Sequence, residues 1–168
     1  EQEPEEAPKT GKAVGVDLGI RTLAVTSDGT QYDNPKTYAN NRKRLARAQR
    51  QLSRKKKGSS NWEKQRRKVA RLHRKIRNQR LDACHKMTHE LVQKYDVICI
   101  EDLDLVQMEK SRFAKEVSDA ALGGIRRQLT YKCQWAGKRL VTVDRWYPSS
   151  QTCSACGHVN RDVRDLKI

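Results

Sequence analysis

Between Lys36 and Arg80 the chain carries 19 Lys and Arg residues and a single acid, Glu63. A run so highly charged cannot supply a hydrophobic core, so it must fold as a solvent-facing element attached to a body that can. The rest of the 168 residues holds 17 basic and 19 acidic side chains and is close to neutral, although the whole chain is +16. In an ordinary solvated helix, acids would interleave at i,i+4 spacing and relieve the repulsion. They do not interleave here. A basic block on a neutral body is the electrostatic footprint of a nucleic-acid binder, because each neutralised phosphate releases condensed counterions.

Apolar residues recur inside the block at helical spacing: Leu45 and Leu52, then Val69, Leu72, Ile76, Ala83, Met87 and Leu91. Lys57-Gly58-Ser59-Ser60-Asn61 between the two runs has loop composition and ends in a helix N-cap at Ser60 or Asn61. The spacing predicts a helical hairpin over 36–57 and 61–94, joined by its apolar seam. Its candidate phosphate-contacting residues are Arg50, Arg54, Lys55, Arg66, Arg67, Arg71, Arg74 and Arg77. Arg, whose planar fork suits phosphate, predominates over Lys in the second helix.

Outside the block the runs become short and β-like. Ala13–Leu18 is apolar around one carboxylate, Leu23–Thr26 follows, and Asp28-Gly29 is a hairpin turn signal before Thr30–Tyr32. Three short antiparallel strands are predicted. Val97–Ile100 is an uninterrupted apolar run, the pattern of a strand buried on both faces. Residues 114–137 read as one helix, with Ala121, Leu122, Ile125, Leu129 and Trp135 available for its apolar face, and Arg139–Val143 as a fifth strand. The order predicts a mixed α/β fold in which a sheet carries helices. The first 12 residues, with 4 Glu and 2 Pro, read as a flexible tail or linker. No stretch approaches ~18 consecutive apolar residues and no apolar run follows a basic N-terminus, so the expectation is a cytoplasmic chain without a membrane partner.

A lone Asp inside an apolar strand is costly unless something satisfies it. Asp17 is either held by neighbouring backbone or Arg, or is a metal ligand. Glu101 stands at the end of the next apolar strand, and if the two strands are neighbours the carboxylates converge. Hard oxygen ligands suit Mg²⁺ or Mn²⁺, and the substrate for such a site in a basic protein is a phosphodiester, hydrolysed with two ions ~3.5–4 Å apart. Asp102 and Asp104 fall outside this face by strand alternation, and Asp144 is an outside candidate. The 5 Cys show no disulfide framework. Cys153-Ser-Ala-Cys156-Gly157-His158 has the shape of one Zn²⁺ knuckle, half of a four-ligand site, with His158 as a further candidate ligand. A redox pair would sit at a thioredoxin-like strand–helix junction, which is lacking. Cys84, Cys99 and Cys133 read as small buried hydrophobes, and His85 and His89 as polar residues on a helix face.

Together these residues resemble a known family. Val14-Gly-Val-Asp17-Leu-Gly-Ile20, with Ala24-Val25 and Asp28-Gly29, resembles the first RuvC motif of the transposon-encoded TnpB proteins, and Ile98-Cys-Ile-Glu101-Asp-Leu103 resembles the second. Tyr131-Lys132 through Trp135, Gly137 and Val143-Asp144-Arg145, then Pro148-Ser-Ser150 to Cys153-Ser-Ala-Cys156-Gly157, is similar to the approach to that family's zinc ribbon. The resemblance spans roughly 13–166. It implies an RNA-guided DNA endonuclease related to type V CRISPR effectors, with guide RNA and target DNA as partners, nucleoid-associated in a prokaryote. It further implies an RNase H-like (RuvC) core from 13–35 and 95–150, the basic hairpin 36–94 as an insertion, and 151–168 as the first half of a zinc ribbon. Asp17 and Glu101 would be the first two catalytic carboxylates, and Cys153 and Cys156 the first zinc pair.

The family pattern continues with a second C-x-x-C and then a third catalytic Asp. Arg161-Asp162-Val163-Arg164-Asp165 imitates that last motif, yet it falls where the stretch between the two zinc pairs falls, so Asp162 and Asp165 are read as non-catalytic. The segment that reads guide and target-adjacent motif is also outside the resemblance. The intact protein is therefore expected to cleave, and these residues alone to bind without efficient cleavage. One alternative is a non-catalytic nucleic-acid-binding module. Another is an actin-like ATPase fragment, since Gly15-Val-Asp17-Leu-Gly19 also resembles a first phosphate loop, although no later Gly-rich adenosine motif follows.

Overall fold

Alternation along the strands decides which side of the sheet is covered. In the computed structural model, which describes residues 8–147, 151–152 and 156–160, the strands are β1 (Ala13–Leu18), β2 (Thr22–Thr26), β3 (Gln31–Asp33), β4 (Val97–Glu101) and β5 (Arg139–Val143). They form one sheet in the order β3-β2-β1-β4-β5, antiparallel on the β3–β2–β1 side and parallel across β1, β4 and β5. Parallel neighbours need crossovers, and helices supply them. Val14, Val16, Leu18, Ile98 and Ile100 face one side, where α2 (Ser60–Lys94) covers them with Cys84, Met87, Leu91 and Val92. There α5 (Leu122–Trp135) adds Leu122, Ile125, Leu129 and Cys133.

The opposite face of the sheet is open, and this corrects the expectation for β4. Val97 and Cys99 are only half-buried, so the strand is buried on one face and Cys99 is not a core residue like Cys84 and Cys133. Both crossover helices lie on the same side, and no described helix covers the other.

The basic block forms the expected pair of helices, α1 (Thr37–Ser53) and α2. Leu45, Ala48, Val69 and Ile76 pack between them, with Tyr38, Leu52 and Leu72 at the margin. The N-cap is Ser59 rather than Ser60 or Asn61: its hydroxyl accepts from the Trp62 N–H at 3.2 Å. α2 has 35 residues, about 52 Å at ~1.5 Å per residue. One unbroken helix therefore serves both the hairpin and the main core. Within the span 36–94, Cys84, Met87, Leu91 and Val92 belong to the core under the sheet.

The helix expected over 114–137 is two helices, α4 (Ala114–Ala120) and α5, preceded by a short α3 (Leu105–Lys110) that sequence periodicity did not indicate. The break is Ala121, in the left-handed region at φ 54°. It allows Asp119 to turn toward α1 while Val117, Ala120, Leu122 and Ile125 all remain buried. Asp119 is itself buried and accepts from the Thr37 hydroxyl at 3.1 Å and from the Tyr38 and Ala39 N–H groups. These are orphan donors at the start of α1, so a carboxylate on α4 caps a helix some 80 residues away. Trp135, assigned to the apolar face, is 59% exposed and packs against Tyr131 instead.

Thr10 and Gly11, read as part of a tail, are docked. Their N–H groups donate to the Asp96 carboxylate at 2.7 and 2.6 Å.

Candidate active site and nucleic-acid interface

The parallel register sets the geometry. Val16 pairs with Ile100, so Asp17 and Glu101 occupy the next adjacent positions at the carboxyl ends of neighbouring strands. Alternation places both on the open face, opposite Val16 and Ile100. They line a cleft of about 640 Å³ with Gly15, Val25, Cys99, Val143, Asp144 and Tyr147. Glu101 also pairs with Val143 on its other side, which brings Asp144 to the same end of the sheet. The carboxyl ends of parallel strands are where open α/β sheets bind ligands.

Partnering separates the acids of this region into two groups. Asp102 is held by Arg126 at 2.6 Å and Arg145 at 2.8 Å, and its carboxyl lies below the usual carboxylate range because of those two guanidinium groups. Asp104 pairs with Arg145 at 3.0 Å and caps α3 through the Gln107 N–H. Asp17 and Glu101, in contrast, are exposed and have no hydrogen-bond or ion-pair partner among the described residues. Asp144 is intermediate: one oxygen accepts the Trp146 N–H at 2.7 Å. No group of three or more His, Cys, Asp or Glu side chains among the described residues is arranged to hold a metal ion. The sheet thus brings two acceptor-only carboxylates together and a third acid to the cleft wall, without completing a three-ligand cluster.

The hairpin presents a second feature. Arg44 and Arg47 from α1 and Lys68, Arg71 and Lys75 from α2 line a groove of about 650 Å³ with Gln51 and Gln65. Gln65 is buried and ties the helices together, donating to the Ala48 carbonyl at 3.0 Å and to Gln51 at 3.2 Å. Of the candidate contacts, Arg71 lines this groove, and Arg50, Arg54, Arg67, Arg74 and Arg77 are exposed on the hairpin. Arg66 is engaged locally, bonded to Glu63 at 3.0 Å and lying over the Trp62 ring, and Lys55 is half-buried. Arg44, Arg47, Lys68 and Lys75 escaped the sequence reading. Their spacing of three and four beside the seam residues Ala48 and Leu72 is the signal that would have found them. Arg80, the last of the block, is structural and pairs with Asp119 at 3.2 Å.

Of the two knuckle thiols, Cys153 lies outside the described residues, as do Asp162 and Asp165; Cys156 is exposed. The segment around it closes on itself. Thr152 bridges Val159 in antiparallel fashion, and the Asn160 N–H donates to the Gln151 carbonyl at 2.8 Å. His85 and His89 are exposed on α2. No described helix is long and apolar enough to cross a membrane.

Comparison with known proteins bears on the same segments. Residues 1–112 match the family model of the probable transposase OrfB of IS605, and residues 123–167 match the Cas12f1-like TNB domain. A "Putative RNA-guided DNA endonuclease" of Streptomyces pristinaespiralis is 47% identical over 154 residues, covering 91% of this chain and 38% of that protein. The "Putative RNA-guided DNA endonuclease InsQ" of Escherichia coli K12 is 40% identical over 167 residues, covering 90% of this chain and 41% of that protein. The chain spans about two fifths of the length of these curated relatives. In structure it is similar to Cas12f1 in a cryo-EM complex with sgRNA and target DNA, with a TM-score of 0.59 over 95% of this chain and 42% of that one at 16% identity.

Proposed function

The chain belongs to the TnpB family, the OrfB-type transposases of IS605, and on that premise we propose that it is the RuvC-like nuclease portion of an RNA-guided DNA endonuclease. The observation that carries this reading is the pair Asp17 and Glu101. They sit at adjacent strand ends in an open cleft, with no partner among the described residues, in a chain of net charge +16. The neighbouring Asp102 and Asp104 are taken up by Arg126 and Arg145, whereas Asp17 and Glu101 converge unpaired, an arrangement that suits a cation as their counterpart.

Their oxygens are hard acceptors, the donor set that suits Mg²⁺ or Mn²⁺. Asp17 and Glu101 would hold such an ion, and when bound it would supply Lewis-acid chemistry toward a phosphodiester. The protein's own part is to fix the two carboxylates at the carboxyl ends of two central strands and to hold the nucleic-acid backbone by the charge of the hairpin groove. Sequence specificity then rests on guide RNA pairing with target DNA, the protein reading backbone shape and charge. Cys153 and Cys156 would supply one pair of sulfur ligands to a Zn²⁺ site in the knuckle.

Two carboxylates without a completed third ligand support a narrower statement for these residues alone: they bind nucleic acid and cleave it poorly. Family membership gives no support to the actin-like ATPase alternative. In the full-length protein with guide and target, Asp17→Ala should reduce cleavage by at least ~10³-fold and leave nucleic-acid affinity within about twofold, read by a gel cleavage assay beside a binding titration. Cleavage retained in that variant would end the assignment.

A further inference from the structure

The turn after β5 carries two aromatic rings into solvent. Trp146 is 85% exposed and Tyr147 52%, although rings of this size gain more from burial than almost any other side chain. The turn is tied at several points. The Trp146 N–H donates to Asp144 Oδ1 at 2.7 Å and the Tyr147 N–H to the Asp144 carbonyl at 3.0 Å. Arg145 forks between Asp102, at 2.8 Å, and Asp104, at 3.0 Å, and the Asp102 N–H is itself bonded to the Val143 carbonyl at 2.9 Å. This clamp ties the backbone from Val143 to Tyr147 and leaves the aromatic side chains outside the core. Tyr147 then lines the same cleft as Asp17, Glu101 and Asp144.

We infer that Tyr147 is a stacking platform for an unpaired nucleotide base whose backbone enters the carboxylate cleft. The inference rests on the nuclease reading for the identity of the cleft, and it adds the residue that seats the nucleotide. The cleft acids take a phosphate only through a cation, whereas the aromatic face beside them takes a base directly, through its uncharged π-face. A base within a duplex already has both faces covered and reaches such a platform only by unstacking. The occupant is therefore a single strand, drawn to the chain by its net charge of +16. The clamped turn lowers the ordering cost of binding, since the ring is presented before the strand arrives. Tyr147 is a positioning residue: it seats the nucleotide and takes no part in bond breaking.

The test compares two short single strands of equal length and charge, one of ordinary nucleotides and one of abasic residues. Binding to the full chain is read by fluorescence anisotropy with divalent ions chelated. The wild type should prefer the base-bearing strand about tenfold, given what one base–aromatic stack contributes. Tyr147→Ala should erase that preference while leaving the abasic affinity and the salt dependence unchanged, and Tyr147→Phe should keep it. A preference that survives in Tyr147→Ala, or equal loss on both strands, overturns the inference. Cleavage in Mg²⁺ is scored separately, in the full-length protein with guide and target. Base preference without cleavage keeps the platform and removes the nuclease reading, and cleavage without base preference does the reverse.

Discussion

The carboxylates of this chain differ less in their own chemistry than in what the fold places beside them. Asp28 accepts from the Thr26 and Tyr95 hydroxyls and is held far below the usual carboxylate range by them, Thr26 first. Asp96 is held at about 2 by the Thr10 N–H above all, then by the Gly11 N–H and the Lys138 ammonium. A folded-state pKa below the unfolded value means that the ionised form favours folding. Its contribution is complete above the ordinary Asp value of 3.8 and is lost as pH falls through about 2. Asp96→Asn should therefore melt below the wild type at neutral pH, with the gap narrowing from about pH 4 to about pH 2; a gap that is constant with pH would contradict this. That Asp17 was an anomaly was legible in the sequence, since a lone acid in an apolar strand needs a reason. That it would remain without a partner, while Asp102 and Asp104 found Arg145, was not, because Arg145 lies more than 40 positions further along the chain.

At the scale of elements, α1, α2 and the five strands follow from local pattern, and the interrupted helix does not. The one local break signal in Val117 to Ile125 is Gly123-Gly124, and both glycines lie inside the first turn of α5 rather than at the break. The break occurs because Asp119 is drawn to the N-terminus of α1 and to Arg80, and the chain must rotate between that anchor and the buried face of α5. Ala121 takes the resulting positive φ of 54° at a steric cost that Gly would avoid. Ala121→Gly should accordingly raise stability by about 0.5–1 kcal/mol in urea unfolding, despite the weaker helix propensity of Gly elsewhere. A loss of stability would mean that the Ala121 methyl contributes more packing than strain.

For the molecule as a whole, α2 is the element that joins charge to chemistry. Its first half, with α1, carries the basic groove, and its second half is part of the core beneath the strands that end in Asp17 and Glu101. A backbone gripped by the groove would thus be referenced to the sheet through one continuous helix. If Arg71 contacts phosphate there, Arg71→Ala should weaken binding about equally on all sequences and reduce the slope of log affinity against log salt by about 1. An unchanged slope would remove Arg71 from the interface.

Local composition and periodicity determined that this chain is a basic helical pair on a neutral α/β body, and they singled out Asp17 and Glu101. Those features depend on residues close in sequence: apolar spacing selects helix or strand, and charge density cannot be hidden in a core. The tertiary structure alone decided that β1 and β4 are parallel neighbours in a register that sets the two acids side by side. It also left the face beneath them open and pinned Tyr147 at its rim. Each of these depends on a pairing between residues tens of positions apart, which a linear pattern carries no term for.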